Sequence, residues 1–249
     1  MENNRLVGSA GNPFLRRFID INETYGTHVI QDYLQRLSGA RAILDIGAGS
    51  GRDLGFAREL CPDAALHAVE CMPANIAALE ARGIATHSLN VETDALPFAD
   101  NALDLVICNQ LLEHTKELFW ILHEVTRTLR TGGHLVIGVP NVASLHNRLG
   151  LLFGKHPTQA KACSAHIRCF SKNDFLLLLE EAFPKGYALE RFDGSQFYPF
   201  PRAVARTLAK AFPAMAFSIF FLLRKTRDYE GSFLEYPGRA ALETNFKTG

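Results

Sequence analysis

The residues with the clearest chemical potential stand early in the chain: Asp45, Gly47, Gly49 and Gly51, with Glu70 nineteen residues past the last glycine. Ile43-Leu44-Asp45-Ile46 reads as a strand, the alternate glycines as a tight turn, and the stretch from Arg52 as a helix. Glycines at such a turn let the backbone approach a ligand where any Cβ would collide, and the helix start offers unpaired N–H groups. An acid at the end of the following strand is placed to accept hydrogen bonds from ribose hydroxyls, which makes Glu70 a partner for a nucleoside. Spacing narrows the choice. A dinucleotide fingerprint wants glycine at its first, third and sixth positions; Gly47 and Gly49 match, but Arg52 stands at the sixth, where helix and strand should pack closely. No Gly-Lys-Ser/Thr follows, so a phosphate-binding loop of the P-loop type is excluded. Asp45, just ahead of the turn, suits an ammonium better than a phosphate.

The elements that must position these residues follow in order. Residues 1–13 are polar and read as a loose arm, and apolar positions between Phe14 and Leu37 recur at helical spacing, giving one or two leader helices. Strands are expected at Ala42–Ile46, Ala65–Val69, Ile84–Leu89, Leu103–Cys108 and His134–Val139, with helices at Asp53–Leu60, Ala74–Arg82 and Glu117–Leu129 between them. Pro73 suits a helix start, and Thr131-Gly132-Gly133 reads as a turn. Strict alternation of strand and helix implies a parallel, doubly wound α/β sheet with helices on both faces. Beyond Pro140 the pattern changes. A helix is expected at Val142–Phe153, a polar loop at Gly154–Arg168, a helix from an N-cap at Ser171 through Glu181, a basic helix near Ala203–Phe212, and late strands at Ala188–Phe192 and Phe217–Leu223. The tail after Lys225 reads as only partly ordered. No internal repeat or linker is visible, so residues 1–249 form one domain: a leader (1–40), a ligand-binding core (41–141) and an acceptor-side remainder (142–249).

Composition is that of a globular protein, with 47% apolar and 21% charged residues and a formal net charge of zero. Zero charge implies no global attraction to nucleic acid or to anionic membrane. The five cysteines (Cys61, Cys71, Cys108, Cys163, Cys169) are scattered without a CxxC pair, so neither a zinc cluster nor a disulfide framework is expected, and no metal. A reduced, cytoplasmic setting fits. The N-terminus lacks a secretory signal, and the longest apolar stretch, Ala211 to Leu223, is too short to span a bilayer and contains Pro213. Arg202, Arg206 and Lys210 beside apolar residues leave room for weak contact of 201–225 with the inner membrane face.

Several motifs in sequence resemble one known group. Leu44-Asp45-Ile46-Gly47-Ala48-Gly49-Ser50-Gly51, Glu70, Leu96-Pro97-Phe98-Ala99-Asp100-Asn101, Leu103-Asp104-Leu105-Val106, Leu112-Glu113-His114 and Leu129-Arg130-Thr131-Gly132-Gly133-His134-Leu135 are similar to those of class I S-adenosylmethionine-dependent methyltransferases of the type 11 domain family. The resemblance covers about Arg41 to Asn141. It implies a Rossmann-like seven-stranded sheet of order 3-2-1-4-5-7-6 with strand 7 antiparallel, and S-adenosyl-L-methionine as cofactor, whose ammonium and sulfonium agree with Asp45 and the absence of a phosphate site. By the same resemblance Gly47, Gly49 and Gly51 would line the methionine part of the cofactor, Glu70 the ribose, and Cys71 and Met72 the adenine. Val91 or Glu92 would meet the adenine amine; Glu92 stands where the family usually has aspartate. Asn109 would face the cofactor from the other side. Pro140 to Leu149, His166-Ile167-Arg168-Cys169-Phe170 and Glu243-Thr244-Asn245-Phe246 resemble a bacterial subgroup associated with surface polysaccharide and other glycan pathways.

Methyl transfer from a sulfonium is an in-line displacement, in which holding donor and acceptor at attack distance can contribute about 7–11 kcal/mol. Removing a hydroxyl proton is a smaller task, about 10²–10⁴-fold, and histidine suits it at neutral pH. His166, in the polar loop expected to close over strands 4 and 5, is the first candidate base. His114 follows strand 4 at the site mouth, and Glu113 beside it could orient the ring or the acceptor. Arg168 could pair with an acidic acceptor, and Asp104 is expected to support strand 4. The leading expectation is O-methylation of a sugar or glycan hydroxyl or a related small molecule. A lipophilic, quinone-like acceptor and a non-catalytic cofactor-binding protein are the alternatives. Nucleic acid is disfavoured because Asn109-Gln110-Leu111-Leu112 replaces the Asn/Asp-Pro-Pro-aromatic tetrapeptide of base methylation.

Overall fold

A computed structural model describes residues 21–162 and 164–242. The expected arm, the residues Phe14, Phe18 and Ile19, Cys163 and the Glu243–Phe246 motif lie outside the described residues. Seven strands form one sheet: β1 (Ala42–Ile46), β2 (Ala65–Val69), β3 (Ala85–His87), β4 (Leu103–Asn109), β5 (Leu129–Pro140), β6 (Tyr187–Ser195) and β7 (Ser218–Lys225). Their order is β3-β2-β1-β4-β5-β7-β6. β1 pairs in parallel with β2 and β4, β4 with β5, and β7 runs antiparallel to both β5 and β6. The expected topology is the observed one.

The helices are α1 (Ile21–Thr24), α2 (Thr27–Arg36), α3 (Arg52–Leu60), α4 (Pro73–Glu80), α5 (Leu118–Thr128), α6 (Leu145–Leu152), α7 (Lys172–Ala182), α8 (Arg202–Ala211) and α9 (Ser232–Arg239). Side chains alternate across the strands and build a core on each face of the sheet. Leu44, Ile46, Val106, Cys108, Leu135 and Ile137 pack with α5, α7 and α9. Ile43, Leu105, Ile107 and Val136 pack with α2 and α3 on the opposite face. Among the described residues no helix is long and apolar enough to cross a membrane.

Three local expectations change. Thr131-Gly132-Gly133 is no turn between elements; it lies inside β5 as a bulge, where Leu103 pairs Leu129 but Leu105 already pairs His134. No helix is expected after Lys225, yet Ser232–Arg239 forms α9, because Phe233 has a fully buried place against α5 and α7. Ser171 precedes α7 as expected, but its side chain makes no capping hydrogen bond.

Two ties hold strands to their neighbours. Asp104 accepts hydrogen bonds from the Arg41 and Ala42 N–H groups at 2.7 and 2.9 Å and from Arg130 at 2.6 Å, supporting the β1–β4 junction. Lys225, fully buried, donates to Asn101 Oδ1 and to the Thr126 and Leu129 carbonyls at 3.0, 2.9 and 2.7 Å. An ammonium has three donors, and here each has an acceptor, two of them carbonyls at the C-terminal end of α5 where a cation is favoured.

Candidate active site

The glycine turn stands at the C-terminal end of β1, next to those of β2 and β4, where open α/β sheets bind ligands. Gly47, Gly49 and Gly51 have φ of 74°, 55° and 82°, a left-handed backbone that side chains disfavour. The turn is held on three sides. Gly47 and Ala48 donate to the Val69 carbonyl at 2.9 and 3.3 Å. Glu70 Oε2 accepts from the Gly49 N–H at 2.7 Å, while Oε1 accepts from Cys71 and Met72, both at 2.9 Å. Arg82, which sequence reasoning passed over, donates to the Ser50 and Gly51 carbonyls at 2.9 and 2.8 Å. A Cβ added at Gly49 would meet nothing within 4 Å, so open space for a ligand adjoins the backbone there.

Three acids converge on this space. Asp45 is buried, and its carboxyl is pushed well above the usual carboxylate range by burial, then by Asp53 and Glu70, with Arg52 opposing. Such a cradle favours a cationic ligand and repels a phosphate. Cys71 and Met72 are exposed beside it, available to a flat base. The residues present therefore fit a ligand with an ammonium, a sulfonium, a ribose and an adenine.

Other expected contacts are arranged differently. Asn109 turns its amide to Asp53 Oδ2 at 2.8 Å and to the Tyr25 carbonyl at 3.1 Å, tying β4 to α3 and the leader. Glu92 caps the entry to α5, accepting from the Lys116 N–H and, at 3.2 Å, the Glu117 N–H; Val91 packs half-buried against the core. Arg168 donates to the Thr115 carbonyl at 2.9 Å and to that of Lys116. These bonds clasp the loop rather than present a free guanidinium.

The fold brings Glu113, His114 and His166 together, with the loop of His166 over the end of β4. Glu113 and His114 lie in a 3-10 turn, Leu112–His114, right after β4. Leu111, just before it, lies against Gly47: a Cβ there would be 3.1 Å from Leu111 Cδ1, so this turn borders the ligand space. The loop carrying His166 is laid on it by Ile167 and Arg168, whose N–H groups donate to the Glu113 carbonyl at 2.8 and 3.2 Å. The His166 and His114 rings meet edge to face at 4.8 Å. Glu113 is only 1% exposed, and burial pushes its carboxyl up to about 8. The His166 ring is pushed below its ordinary value by burial and by His114, so it is neutral at pH 7. Among the described residues, Glu113 Oε2 and His166 Nδ1 are buried without a hydrogen-bond partner.

Comparison with known proteins places this geometry. Residues 44–137 match the family model described as a methyltransferase domain. Over that segment the chain is similar to a methyltransferase domain. Its matched segment spans the glycine turn, Glu70, Asn109 and the Glu113–His114 turn. Similar proteins include the malonyl-[acyl-carrier protein] O-methyltransferase of Methylococcus capsulatus, 30% identical over 111 residues (41% of this chain, 38% of that protein). The ribosomal RNA large subunit methyltransferase G of Pseudoalteromonas translucida is 29% identical over 161 residues (59% of this chain, 41% of that protein). The chain spans between 35% and 42% of the length of the curated relatives it matches. Among solved structures, a SAM-dependent methyltransferase from Archaeoglobus fulgidus shares the fold with a TM-score of 0.55 and 18% identity, over 82% of this chain and 98% of that one.

Proposed function

We propose that the protein is an S-adenosylmethionine-dependent O-methyltransferase whose acceptor is a hydroxyl of a sugar, a glycan or a related polar small molecule. The observation that carries this reading is a pair of buried polar atoms, Glu113 Oε2 and His166 Nδ1, that have no partner among the described residues and stand on the turn and loop beside the glycine cradle. An apolar, quinone-like acceptor would leave both atoms unsatisfied, at a cost of about 1–3 kcal/mol each. A hydroxyl acceptor satisfies them. When bound, S-adenosylmethionine supplies a methyl group on a sulfonium: the C–S bond breaks with its electron pair kept by sulfur, the C–O bond forms, and the hydroxyl proton leaves.

In this assignment Gly47, Gly49 and Gly51 admit the methionine part and Asp45 faces the positive charge. Glu70 keeps one lone-pair site, on Oε2, for a ribose hydroxyl beyond its three backbone bonds, and Cys71 and Met72 border the adenine. Glu113, His114 and His166 receive the acceptor, and neutral His166 is placed to take its proton. Membrane contact through 201–225 is not part of the proposal, since Arg202 and Arg206 pair with buried Glu23 at 3.0 and 2.7 Å.

The test is turnover of labelled S-adenosylmethionine with nucleotide-sugar and glycan acceptors. His166→Ala should slow transfer by about 10²–10⁴-fold with cofactor affinity unchanged. A full rate in that variant would remove His166 from the proposal, and turnover with lipophilic acceptors alone would remove the glycan class.

A further inference from the structure

We propose that Glu113, His114 and His166 bind one divalent transition-metal cation, and that this cation takes the acceptor through two neighbouring oxygens. The inference rests on the reading that this cluster faces the acceptor, and it passes the task of activating the hydroxyl from a free imidazole to a cation.

Each of the three residues brings one ligand atom, and these atoms lie within 4.8 Å of one another. Metal–ligand bonds of about 2.0–2.2 Å put neighbouring donors of a tetrahedral site roughly 3.4 Å apart, so the widest pair of the trio must draw together by up to about 1.4 Å. His114 and His166 can supply that movement, being exposed and half-buried respectively, while Glu113 is fixed in the core.

The surroundings are those of a ligand set. Among the described residues, Glu113 is a buried acid with one carboxyl oxygen unpartnered and no Lys or Arg paired to it. The nearby guanidinium of Arg168 is spent on the Thr115 and Lys116 carbonyls. His114 Nδ1 lies 3.3 Å from the Ala165 carbonyl. With the N–H there, Nε2 keeps its lone pair and stands 3.9 Å from Glu113 Oε1. A backbone carbonyl behind the ring is the usual means of orienting a metal-bound histidine. The Nδ1 of His166 has no partner among the described residues.

Two imidazoles and one carboxylate suit zinc, iron(II), manganese or cobalt better than magnesium or calcium, which prefer all-oxygen sets. Three protein ligands leave positions open, as catalytic sites do. A hydroxyl on the cation becomes more acidic. Its proton leaves to water, the resulting oxygen attacks the methyl carbon, and the C–S electron pair stays on sulfur. An acceptor with two adjacent oxygens, such as a vicinal diol on a sugar ring, fills two open positions and fixes which oxygen faces the methyl group.

The experiment uses the full chain freed of metal with chelator, then titrated with Zn²⁺, Mn²⁺ and Co²⁺ by calorimetry, with the visible spectrum of the Co²⁺ form recorded. Expected are one saturable site per chain, a Co²⁺ band of a histidine-carboxylate site, and affinity lowered by at least about tenfold in His166→Ala and Glu113→Gln. Cofactor binding to the same variants, read in the same instrument, should stay unchanged and shows that they are folded; if Glu113→Gln fails this check, His166→Ala decides alone. Absence of one-to-one binding, or binding indifferent to His166→Ala, overturns the cation site. A metal-free protein that turns over at full rate overturns its role in transfer while leaving the methyltransferase reading intact. Failure of the metal-free chain to bind S-adenosylmethionine would instead count against that reading.

Discussion

At Gly49 the backbone stands at φ 55° with open space where a Cβ would go, whereas at Gly51, φ 82°, a Cβ would sit 2.6 Å from Leu79 Cδ2. The two positions separate the demands of the fold from those of the ligand. Gly51→Ala adds a clash with a buried leucine to the left-handed backbone, and it should lower stability by about 2–4 kcal/mol. Gly49→Ala meets only the backbone penalty, about 1–2 kcal/mol, yet places a methyl group where the proposed cofactor would lie. Its loss should be in affinity, by tenfold or more on the order of one lost close contact. Thermal unfolding and cofactor titration of both variants check this, and normal cofactor binding by Gly49→Ala would remove the cradle assignment. These residues were legible from sequence because the chemistry is local: strand, turn and acid follow one another within one stretch. Glu92 and Arg168 were not. Their partners, the Lys116 and Glu117 N–H groups and the Thr115 and Lys116 carbonyls, are backbone groups of distant segments, which side-chain types do not reveal.

Among the elements, the strands and most helices could be read because each carries its own period and its own stops. Where a segment depends on a partner, reading failed. The Gly132-Gly133 pair looks like a turn in isolation and becomes a bulge because β5 must stay in register with β4 and β7. The loop from Gly154 to Arg168 depends most on its partners, and it delivers His166. One end is held by Arg168, the other by His146, whose Nδ1 and Nε2 lie 3.1 and 3.0 Å from Ser144 Oγ and Thr158 Oγ1. Arg168→Ala should loosen the first hold and raise the acceptor KM about tenfold or more, with cofactor affinity unchanged, since one charge-assisted hydrogen bond contributes about 1.5–3 kcal/mol. Steady-state kinetics with each substrate varied would show whether the effect is confined to the acceptor. The second hold is sensitive to pH. Burial pushes the His146 ring down to about 4, against about 6.5 in an unfolded chain. Because the folded value is the lower one, its contribution is fully present above pH 6.5 and is lost as pH falls through 4, to a total of no more than about 3 kcal/mol. The difference in unfolding free energy between the protein and His146→Phe should therefore shrink between pH 6.5 and 4; a constant difference would rule out the buried neutral ring.

Across the whole molecule, the leader is joined to the far end of the chain through one buried acid. Glu23 Oε1 accepts from Arg202 at 3.0 Å and from Arg206 at 2.8 Å, while Oε2 lies 3.5 Å from Ser195 Oγ and 3.6 Å from His28 Nδ1. Tyr33 adds a second tie, donating to Asp193 Oδ2 at 2.9 Å. No composition window shows this, because the partners are up to 183 residues apart and the arginines look like a basic surface when read alone. The same leader reaches the site: Asn109 donates to the Tyr25 carbonyl at 3.1 Å, and Arg52 stacks over the Tyr25 ring at 4.8 Å. Arg52 and Asn109 both hold Asp53, at 2.7 and 2.8 Å, and Asp53 acts on Asp45 beside the glycine turn. Glu23→Ala therefore has two expected consequences. Breaking a buried ion pair costs about 3–5 kcal/mol, reduced here to about 2–3 because both arginines remain partly in water. Cofactor affinity should fall as well, since a displaced Tyr25 frees Arg52 and Asn109 from their present positions. Glu23→Gln keeps the shape and one acceptor, so it should show a smaller loss of both. If Glu23→Ala unfolds at lower temperature but binds S-adenosylmethionine as tightly as before, the leader braces α8 and β6 without shaping the site.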